Sequence, residues 1–527
     1  MRRSVVALFA LSTVAAHVAL AAAALSVTGC SSGPEAPGPL AGPAGNASAP
    51  VPEGGVQGLP GEPPPPPPAA RADELTEAHG VFVAERGSDE GPGTRAAPLA
   101  SIGAAIRRAK VEKKSVFVCE GSYAEALALE SGVSIRGGLD CGGPEWKLTT
   151  RTSTVAAPTS PAVRAIGLAA PTRVDNLAIL APDANELPPG ERSSIGVLAV
   201  DAAALTFAGG LIRARAARAG VDGVEPAGLT LQLVRAATAG LLSAPTCVDS
   251  GPFSFCDAPR SGGLSARAQC RDAAGAVVSE SSGDDGGHSG VFLATSVYPY
   301  WAAAAGKAPG EGAGGAGVAT TTPGVDGAAG VGALTDDGFV PGDGVPGTSG
   351  GPGAWGRGGR GQAPSGTGTP GARYWGRSGS GGGAGGCAGL AGTPGTGGGA
   401  SLGVVALRSP LRLLAMTVEA GAGGDAGKGT LGSAPTAGVR GGDDHGLSAP
   451  LPSSPESFDG QAGGPAGVSG SGAAGPSYGI VHRQGAPVLT QTEVKHGPGG
   501  AGAPARSAGG KTLPATPAGE AEGVKAL

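Results

Sequence analysis

Residues 87–110 read GSDEGPGTRAAPLASIGAAIRRAK, and this stretch decides the fold class. Pro98 and Ser101 stand where a helix would begin, because proline suits the first helical turn and serine caps it. The apolar residues that follow recur at helical spacing: Ile102, Ala105, Ile106 and Ala109. The stretch therefore predicts a turn followed by a short amphipathic helix.

Short strands are predicted on both sides of this helix. Residues 81–83 precede it, residues 115–118 follow it, and residues 133–135 lead into Arg136-Gly137-Gly138. Each is an aliphatic run of strand length next to turn residues. One helix among several short strands indicates a mainly β protein.

The order of these motifs resembles the opening of right-handed parallel β-helix proteins. Residues 87–141 are similar to the pectin-lyase-like superfamily, and within it to DUF1565-type proteins. The motifs that carry the similarity are Gly-Ser-Asp, Gly-Thr, Ala-Pro-Leu, the helix and the pattern Val118-x-x-Gly121-x-Tyr123-x-Glu125. The resemblance implies an all-β, single-stranded right-handed parallel β-helix whose short N-terminal helix caps the first coil. We assign Asp89 and Gly93 in this motif a turn role.

Internal repetition supports coils independently of that resemblance. The pattern Ser-x-Gly-aliphatic-aliphatic occurs at residues 194–198, 401–405 and 477–481. Seventeen residues after each serine stands an aliphatic residue: Leu211, Val418 and Val494. A half-copy relates residues 171–179 to residues 410–418. Strand-like segments that recur in this way indicate stacked structural repeats.

Glycine and proline dominate much of the chain. There are 102 glycines and 47 prolines among 527 residues, and only 3% of residues are aromatic. A core must therefore use small aliphatic side chains. Residues 271–400 are predicted to be a glycine-rich insertion, either a long excursion between two coils or a disordered flap, with disorder favoured because they offer too little apolar surface to offset the ordering entropy of the glycines. The lack of a strict Gly-x-y period excludes collagen. This composition is similar to that of myxobacterial glycine-rich lipoproteins.

The N-terminus predicts export and lipid attachment. Arg2 and Arg3 precede an apolar run, and Val27, Thr28 and Gly29 form a lipobox before Cys30. Cys30 would carry the lipid, with palmitate among its acyl chains, and would hold the protein at the cell envelope, at the outer membrane or cell surface. An uncleaved membrane anchor is the alternative. The prolines at 63–68 favour an extended tether.

The predicted organisation has six parts. They are a signal peptide (1–29), a Pro/Gly-rich tether (30–78), the N-terminal part of the β-helix with its cap (79–270), the insertion (271–400), the C-terminal coils (401–500) and a flexible tail (501–527).

Six cysteines remain when Cys30 is set aside: Cys119, Cys141, Cys247, Cys256, Cys270 and Cys387. An even number in an exported protein predicts disulfides. The sequence alone permits 15 connectivities; Cys119–Cys141 and Cys247–Cys256 are the local candidates, and they would leave Cys270–Cys387. Zinc is disfavoured, because there is no CxxC pair and the six histidines are scattered.

Several short motifs match catalytic or binding patterns only in part. Residues 347–351 match G-x-S-x-G without the strand and helix of a nucleophile elbow, and Gly510-Lys511-Thr512 lacks the rest of a phosphate-binding loop. Acidic turns such as Asp284-Asp285 and Asp443-Asp444 could bind calcium, but solvated turns are favoured. No cofactor and no metal are predicted, and the net charge of −5 argues against nucleic-acid binding.

These observations predict a non-catalytic envelope protein that binds polysaccharide or a cell-surface partner, or has a structural role. The alternative is a polysaccharide lyase or glycoside hydrolase on the same fold. The catalytic residues of such an enzyme would come from the charged residues on predicted strands: Arg164, Arg173, Asp175, Arg213, Arg408, Arg412, Glu493 and Lys495. No predicted strand carries a recurrent Asp-Asp or Asp-x-Asp pair, so no catalytic residue is assigned.

Overall fold

The structure is a computed structural model that describes residues 75–143, 145–240, 247–250, 253–256, 262–287, 322–359, 378–442 and 457–527. The predicted signal peptide, the lipobox with Cys30 and nearly all of the tether lie outside the described residues. Strands predominate in the described part, which contains one α-helix. The predicted all-β class is therefore confirmed.

Most strands belong to three parallel sheets. Sheet A contains β1 (Gly80–Val83), β2 (Ser115–Cys119), β5 (Ile135–Asp140), β9 (Thr172–Asp175), β12 (Leu205–Ala208), β22 (Arg412–Leu414) and β25 (Val488–Thr490), with β6 (Lys147–Leu148) antiparallel to β5. Sheet B contains β3 (Ser122–Tyr123), β7 (Ser153–Ala156), β10 (Leu177–Leu180), β13 (Leu211–Arg213), β23 (Thr417–Glu419) and β26 (Glu493–Lys495). Sheet C contains β4 (Leu127–Ala128), β8 (Val163–Ile166), β11 (Ser194–Val200), β21 (Ser401–Leu407), β24 (Ser477–Arg483) and β29 (Ala521–Ala526).

The chain visits these sheets in a repeating order. From β2 onward it passes from sheet A to sheet B to sheet C and returns to sheet A, so each circuit adds one strand to each sheet. Neighbouring strands from successive circuits pair in parallel. We call each circuit a coil.

The remaining strands are antiparallel and lie in the connections between coils. They are a three-stranded sheet of β14 (Thr230–Arg235), β17 (Arg267–Arg271) and β18 (Val277–Ser282), and the hairpins β15 (Cys247–Ser250) with β16 (Phe253–Cys256), β19 (Ala333–Thr335) with β20 (Gly338–Val340), and β27 (Arg506–Ala508) with β28 (Lys511–Leu513). A 3-10 turn at Ala184–Glu186 lies between β10 and β11.

The three parallel sheets share one hydrophobic core. Val116 of sheet A, Val155 of sheet B and Val163 of sheet C belong to a single cluster of buried residues. Their equivalents in later coils form apolar ladders, because register-matched residues stack above one another. The core is built almost entirely of Val, Leu, Ile and Ala, as the composition predicts.

The predicted helix is confirmed as α1 (Ile102–Glu112). The Ser101 hydroxyl accepts a hydrogen bond from the Ala104 amide, and the four predicted apolar positions are buried. The Glu125 carboxylate accepts hydrogen bonds from the amides of Ile102 and Gly103 at 2.7 and 2.9 Å. An acidic group at this end complements the helix dipole, so the motif residue Glu125 fixes the helix over the first coils.

The turn before the helix is held by Asp89. Its carboxylate accepts hydrogen bonds from the amides of Ala100 and Ser101, both at 2.9 Å. This arrangement fits the turn role assigned from the sequence.

The repeat alignment is confirmed with one correction. Ser194 pairs with Ser401, and Ser401 pairs with Ser477, in adjacent strands of sheet C. In sheet B, however, Val418 pairs with Ile212, so the predicted partner Leu211 is wrong by one residue. One more residue separates the serine from the sheet B strand in that coil.

Two predicted disulfides are confirmed, Cys119–Cys141 and Cys270–Cys387. Cys247 and Cys256 are directly opposite each other in the hairpin of β15 and β16. Their side chains lie outside the described residues, so that pairing stays a prediction.

Two expectations of disorder are wrong. Residues 322–359 and 378–400 of the insertion form regular backbone hydrogen bonds with other segments. The predicted flexible tail contains β29, which pairs with β24 in sheet C. The prediction considered only the burial of side chains, whereas backbone-to-backbone hydrogen bonds order the insertion.

Candidate functional site: the glycine-rich bundle

Three successive coils are interrupted at the same place, between sheet B and sheet C. The interruptions are residues 214–400, 420–476 and 496–520. Within them, extended segments pack side by side: 214–229, 322–332, 341–359, 378–400, 420–442, 457–476 and 496–505. We call these segments together the glycine bundle.

The segments of the bundle are hydrogen bonded with a period of three residues. The amides of Gly383, Gly386 and Gly389 donate to the carbonyls of Phe458, Gln461 and Gly464, each at 2.9 Å. Between two other segments, residues 214, 217, 220 and 223 donate to residues 419, 422, 425 and 428. Three residues per turn is the period of an extended polyproline II helix, which has no hydrogen bonds of its own and must bond to its neighbours.

Segment 378–400 lies at the centre of the bundle. It forms backbone hydrogen bonds with segments 214–229, 341–359, 420–442 and 457–476. Most of its residues are buried although few have large side chains. Neighbours on all these sides explain why this glycine-rich segment is ordered.

Glycine is required wherever the backbones approach each other. In the central segment, every third residue from Gly383 to Gly398 is glycine. A Cβ atom at Gly386 would lie 2.3 Å from the Thr436 carbonyl oxygen, and one at Gly398 would lie 2.0 Å from the Gly424 oxygen. Segment 341–359 has the same pattern from Gly344 to Gly359. A strict Gly-x-y period is therefore absent from the insertion as a whole but present within these individual segments.

Hydroxyl groups from adjoining segments satisfy further amides of the central segment. The amides of Cys387 and Leu390 donate to the side-chain oxygens of Thr436 and Ser433 at 2.7 and 2.8 Å, and the Ala391 amide donates to the Ser349 oxygen at 3.0 Å. Buried amides without partners are costly, so these serines and threonines complete the hydrogen bonding of the bundle.

The repeated serines share one geometry at the base of the bundle. The Ser401 hydroxyl donates to the Arg215 carbonyl at 2.7 Å and accepts from the Gly421 amide at 2.8 Å. Ser477 bonds in the same way to the Gly421 carbonyl and the Gly497 amide. Each serine thus links two successive interruptions where they leave the coils. The sequence revealed the repeat but not this role.

A hairpin from the bundle covers the outer face of sheet C. Leu334 and Phe339, from β19 and β20, pack against an apolar cluster that includes Ile195, Leu402 and Tyr478. This is the second apolar layer of sheet C, outside the shared core.

Ion pairs formed by two arginines connect this hairpin and the segment that follows it to the coils. Arg408 binds Asp201 and Asp336, with closest distances of 2.8 and 2.9 Å, and Arg192 binds Asp343 at 2.7 Å. The hydrogen bond from Arg408 lowers the pKa of Asp201. Desolvation opposes ionisation of Asp343, yet hydrogen bonds from Arg192 and the Gly397 amide lower its pKa.

The bundle exposes apolar and aromatic side chains. Val221 and Val224, three residues apart on one segment, are both exposed. On another segment, Val325 and Val331 are exposed and lie six residues apart, which is two turns of the extended helix. Trp355 is 56% exposed and Phe458 is 42% exposed. Aromatic side chains are enriched in the buried centres of protein interfaces, and tryptophan is among the residues that contribute most to binding.

The charged residues predicted on strands fall into separate groups. The predicted residues Arg213, Glu493 and Lys495 meet on the outer face of sheet B, together with Glu419, which was not predicted from the sequence. Arg213 binds Glu419 at 2.6 Å and Lys495 binds Glu493 at 3.0 Å. Arg173 and Asp175 form an ion pair on sheet A at 2.7 Å. Arg412 in β22 is on the same sheet as Arg173 and shares its register, two strands away. Arg164 lies in β8 of sheet C, and Arg408 follows β21.

The sheet B cluster has the electrostatics of an ion-pair network. Its two carboxylates alternate with two cations, and the hydrogen bond with Glu493 raises the pKa of Lys495. A lysine that acts as a general base needs a lowered pKa instead. The arrangement suits stabilisation of the sheet surface more than proton transfer.

The remaining motifs fit structural roles where they are described. Residues 347–351 lie in a bundle segment, and Gly510 and Lys511 lie at the hairpin of β27 and β28. Asp285 accepts a hydrogen bond from the Ser265 amide, while Asp443 and Asp444 lie outside the described residues. Among the residues with described positions, no group of three or more His, Cys, Asp or Glu side chains could hold a metal ion.

Within the described ranges, no helix has the length and apolar character needed to cross a membrane. No protein-family model, curated protein or solved structure matches this chain.

Proposed function

We propose that this protein is a lipid-anchored envelope protein whose glycine bundle is a non-catalytic binding surface, directed to polysaccharide or to a cell-surface partner. The observation that carries the proposal is the construction of the bundle. Segments from three successive coils are hydrogen bonded into one unit, and that unit exposes Trp355 and Phe458. A surface held rigid before binding loses little conformational entropy when a partner docks.

The coils are proposed to form a right-handed parallel β-helix related to DUF1565-type, pectin-lyase-like proteins. The repeating order of sheets A, B and C and the parallel pairing support this architecture. Connections between parallel strands are almost always right-handed, which supports the hand. An experimental structure with left-handed coils would reject the relationship.

The anchor is proposed to be lipid on Cys30. Processing before Cys30 would place the proline-rich tether directly after the membrane surface. Labelling with palmitate should mark the wild-type chain and not the Cys30→Ser variant. Equal labelling of both chains, or its absence from both, would reject the anchor while leaving the fold untouched.

Binding should be measured with the full chain in mild detergent, on immobilised acidic and neutral polysaccharides and on whole cells. Trp355→Ala is expected to weaken binding at least about fivefold, since losing a central aromatic contact costs ~1 kcal/mol or more. Val111→Ala, at an exposed position on α1, is the matched control and should bind like the wild type. No binding to any of these targets would leave a purely structural role.

A carbohydrate-active enzyme is the second candidate, because two carboxylates and a lysine lie together on the outer face of sheet B, although their ion pairing suits a structural role better. This candidate requires that the wild type shorten a polysaccharide and that Glu419→Gln and Glu493→Gln abolish the reaction. Activity unchanged by both substitutions would exclude the cluster as its site.

A further inference from the structure

The apolar ladders of the core end in exposed residues at the last coil. Leu413, Val418 and Ile480, one from each sheet, are fully buried. The next residues in the same ladders are Leu489, Val494 and Val524. Leu489 and Val524 are 38% and 40% exposed, and Val494 is partly buried. Among the described residues, none continues these ladders beyond the last coil, whereas α1 packs against the core at the other end.

The last coil also presents three unpaired strand edges. β25, β26 and β29 are the terminal strands of sheets A, B and C, and each pairs on one side only among the described residues. An unpaired strand edge can form hydrogen bonds with a strand of another chain, and exposed apolar residues beside it can be buried in the same contact. We call these three strands the terminal edge.

The sequence of β29 is complementary to itself in antiparallel orientation. When two copies of Ala521–Ala526 are aligned about the midpoint between Gly523 and Val524, Glu522 of each copy lies opposite Lys525 of the other. Glu522 and Lys525 are register-matched to Tyr478 and Val481, which belong to the outer apolar cluster, so both point away from the core. Opposite charges directly across an antiparallel pair stabilise it.

The other two strands obey the same two-fold symmetry. For one axis to relate all three strands, it must pass through the midpoint of β29 and between β25 and β26, at the midpoint between Gln491 and Thr492. It places Val488–Thr490 of one copy antiparallel to Glu493–Lys495 of the other, with Leu489 opposite Val494. Both of those residues belong to the inward ladders, so core residues would meet core residues.

We propose that the terminal edge is a docking surface for a second copy of this chain, joined end to end through a two-fold axis. The interface is isologous, as a two-fold dimer requires. It extends all three sheets across the junction and buries Leu489, Val494 and Val524 in a continuous core.

The test is a pair of charge reversals in the full chain, with mass measured by sedimentation in mild detergent. Glu522→Lys alone places lysine opposite Lys525 in both halves of the interface, and Lys525→Glu alone places glutamate opposite Glu522. Each variant should weaken dimerisation at least about tenfold, or ~1.4 kcal/mol. An equimolar mixture should form heterodimers, because the substituted residues then face opposite charges. Recovery on mixing cannot arise from misfolding of either variant.

A second variant tests the apolar contact. Val524→Asp should give a monomer, and Val111→Asp, at an exposed valine of α1 at the other end of the stack, should leave the dimer intact. A wild type that stays monomeric at micromolar concentration overturns the proposal. So does a dimer that is unaffected by Val524→Asp and by both single charge reversals.

Discussion

Single glycine residues determine whether the segments of the glycine bundle can pack against each other. The third-residue glycines of the central segment have no space for a side chain, since the atoms nearest to a Cβ are backbone atoms that cannot rotate away. Gly386 is a representative case, because a Cβ there would meet the Thr436 carbonyl oxygen at 2.3 Å. Glycine is required at these sites because a Cβ atom has no space, and not because the backbone adopts a left-handed conformation.

Gly386→Ala should therefore lower the free energy of unfolding by about 1–3 kcal/mol or more, the usual cost of overpacking. Gly190→Ala is the control, because a Cβ there has no neighbour within 4 Å. It should change stability by less than about 1 kcal/mol. Denaturant unfolding of both variants checks the difference, and equal stability of the two would refute close backbone packing.

The serines at the base of the bundle make a second residue-scale prediction. Ser401 is fully buried and bonds one carbonyl and one amide from different interruptions. Ser401→Ala leaves both without that partner and should cost about 1–3 kcal/mol. Ser507→Ala, at an exposed site, should have little effect on the unfolding midpoint. Equal destabilisation by Ser401→Ala and Ser507→Ala would mean that the hydrogen bonds of Ser401 make no specific contribution to stability.

At the scale of elements, α1, several strands of the coils and the register of the repeated serines could be predicted because local signals determine them. The cap at Ser101 and the spacing of Ile102 and Ile106 are visible in sequence. The hairpin of β19 and β20 could not be predicted, because its partner surface is formed by strands distant in the chain. Ion pairs such as Arg408 with Asp336 also depend on that tertiary contact.

The docking of this hairpin should weaken in acid. Desolvation opposes ionisation of Asp343, which follows the hairpin, yet hydrogen bonds from Arg192 and the Gly397 amide lower its pKa in the folded protein, so its contribution is present above the ordinary value of 3.8. It is lost as the pH falls through the lower, folded-state pKa. Methyl NMR signals of Leu334, followed from neutral pH to ~pH 3, should report loosening of the hairpin in that acidic range. In Arg192→Ala the contribution of the Arg192–Asp343 ion pair to this pH dependence should disappear, and an unchanged titration would show that the ion pair is not responsible.

At the scale of the whole molecule, composition alone is misleading. The scarcity of large apolar side chains predicts disorder when burial is taken as the only source of order. The third-residue glycines at Gly344–Gly359 and Gly383–Gly398 are visible signals, but the period is broken between the two series and disappears when the insertion is taken as a whole. Which segments become neighbours depends on the coils that hold their ends, and no local pattern encodes it.

The two kinds of structure depend on each other. The coils bring the three interruptions to one place, and segments 214–229 and 420–442 continue the parallel order of the strands that precede them. The disulfide Cys270–Cys387 joins the antiparallel sheet to the central segment. Loss of the coils should therefore release the bundle as well.

Amide hydrogen exchange of the full chain, resolved by mass spectrometry, tests most directly whether the glycine bundle is ordered by backbone hydrogen bonds. Peptides from residues 378–400 should exchange at least about a thousandfold more slowly than an unstructured chain, which corresponds to ~4 kcal/mol for opening. Peptides from the bundle in Gly386→Ala should lose much of that protection. Exchange of residues 378–400 at the unstructured rate in the wild type would contradict the account.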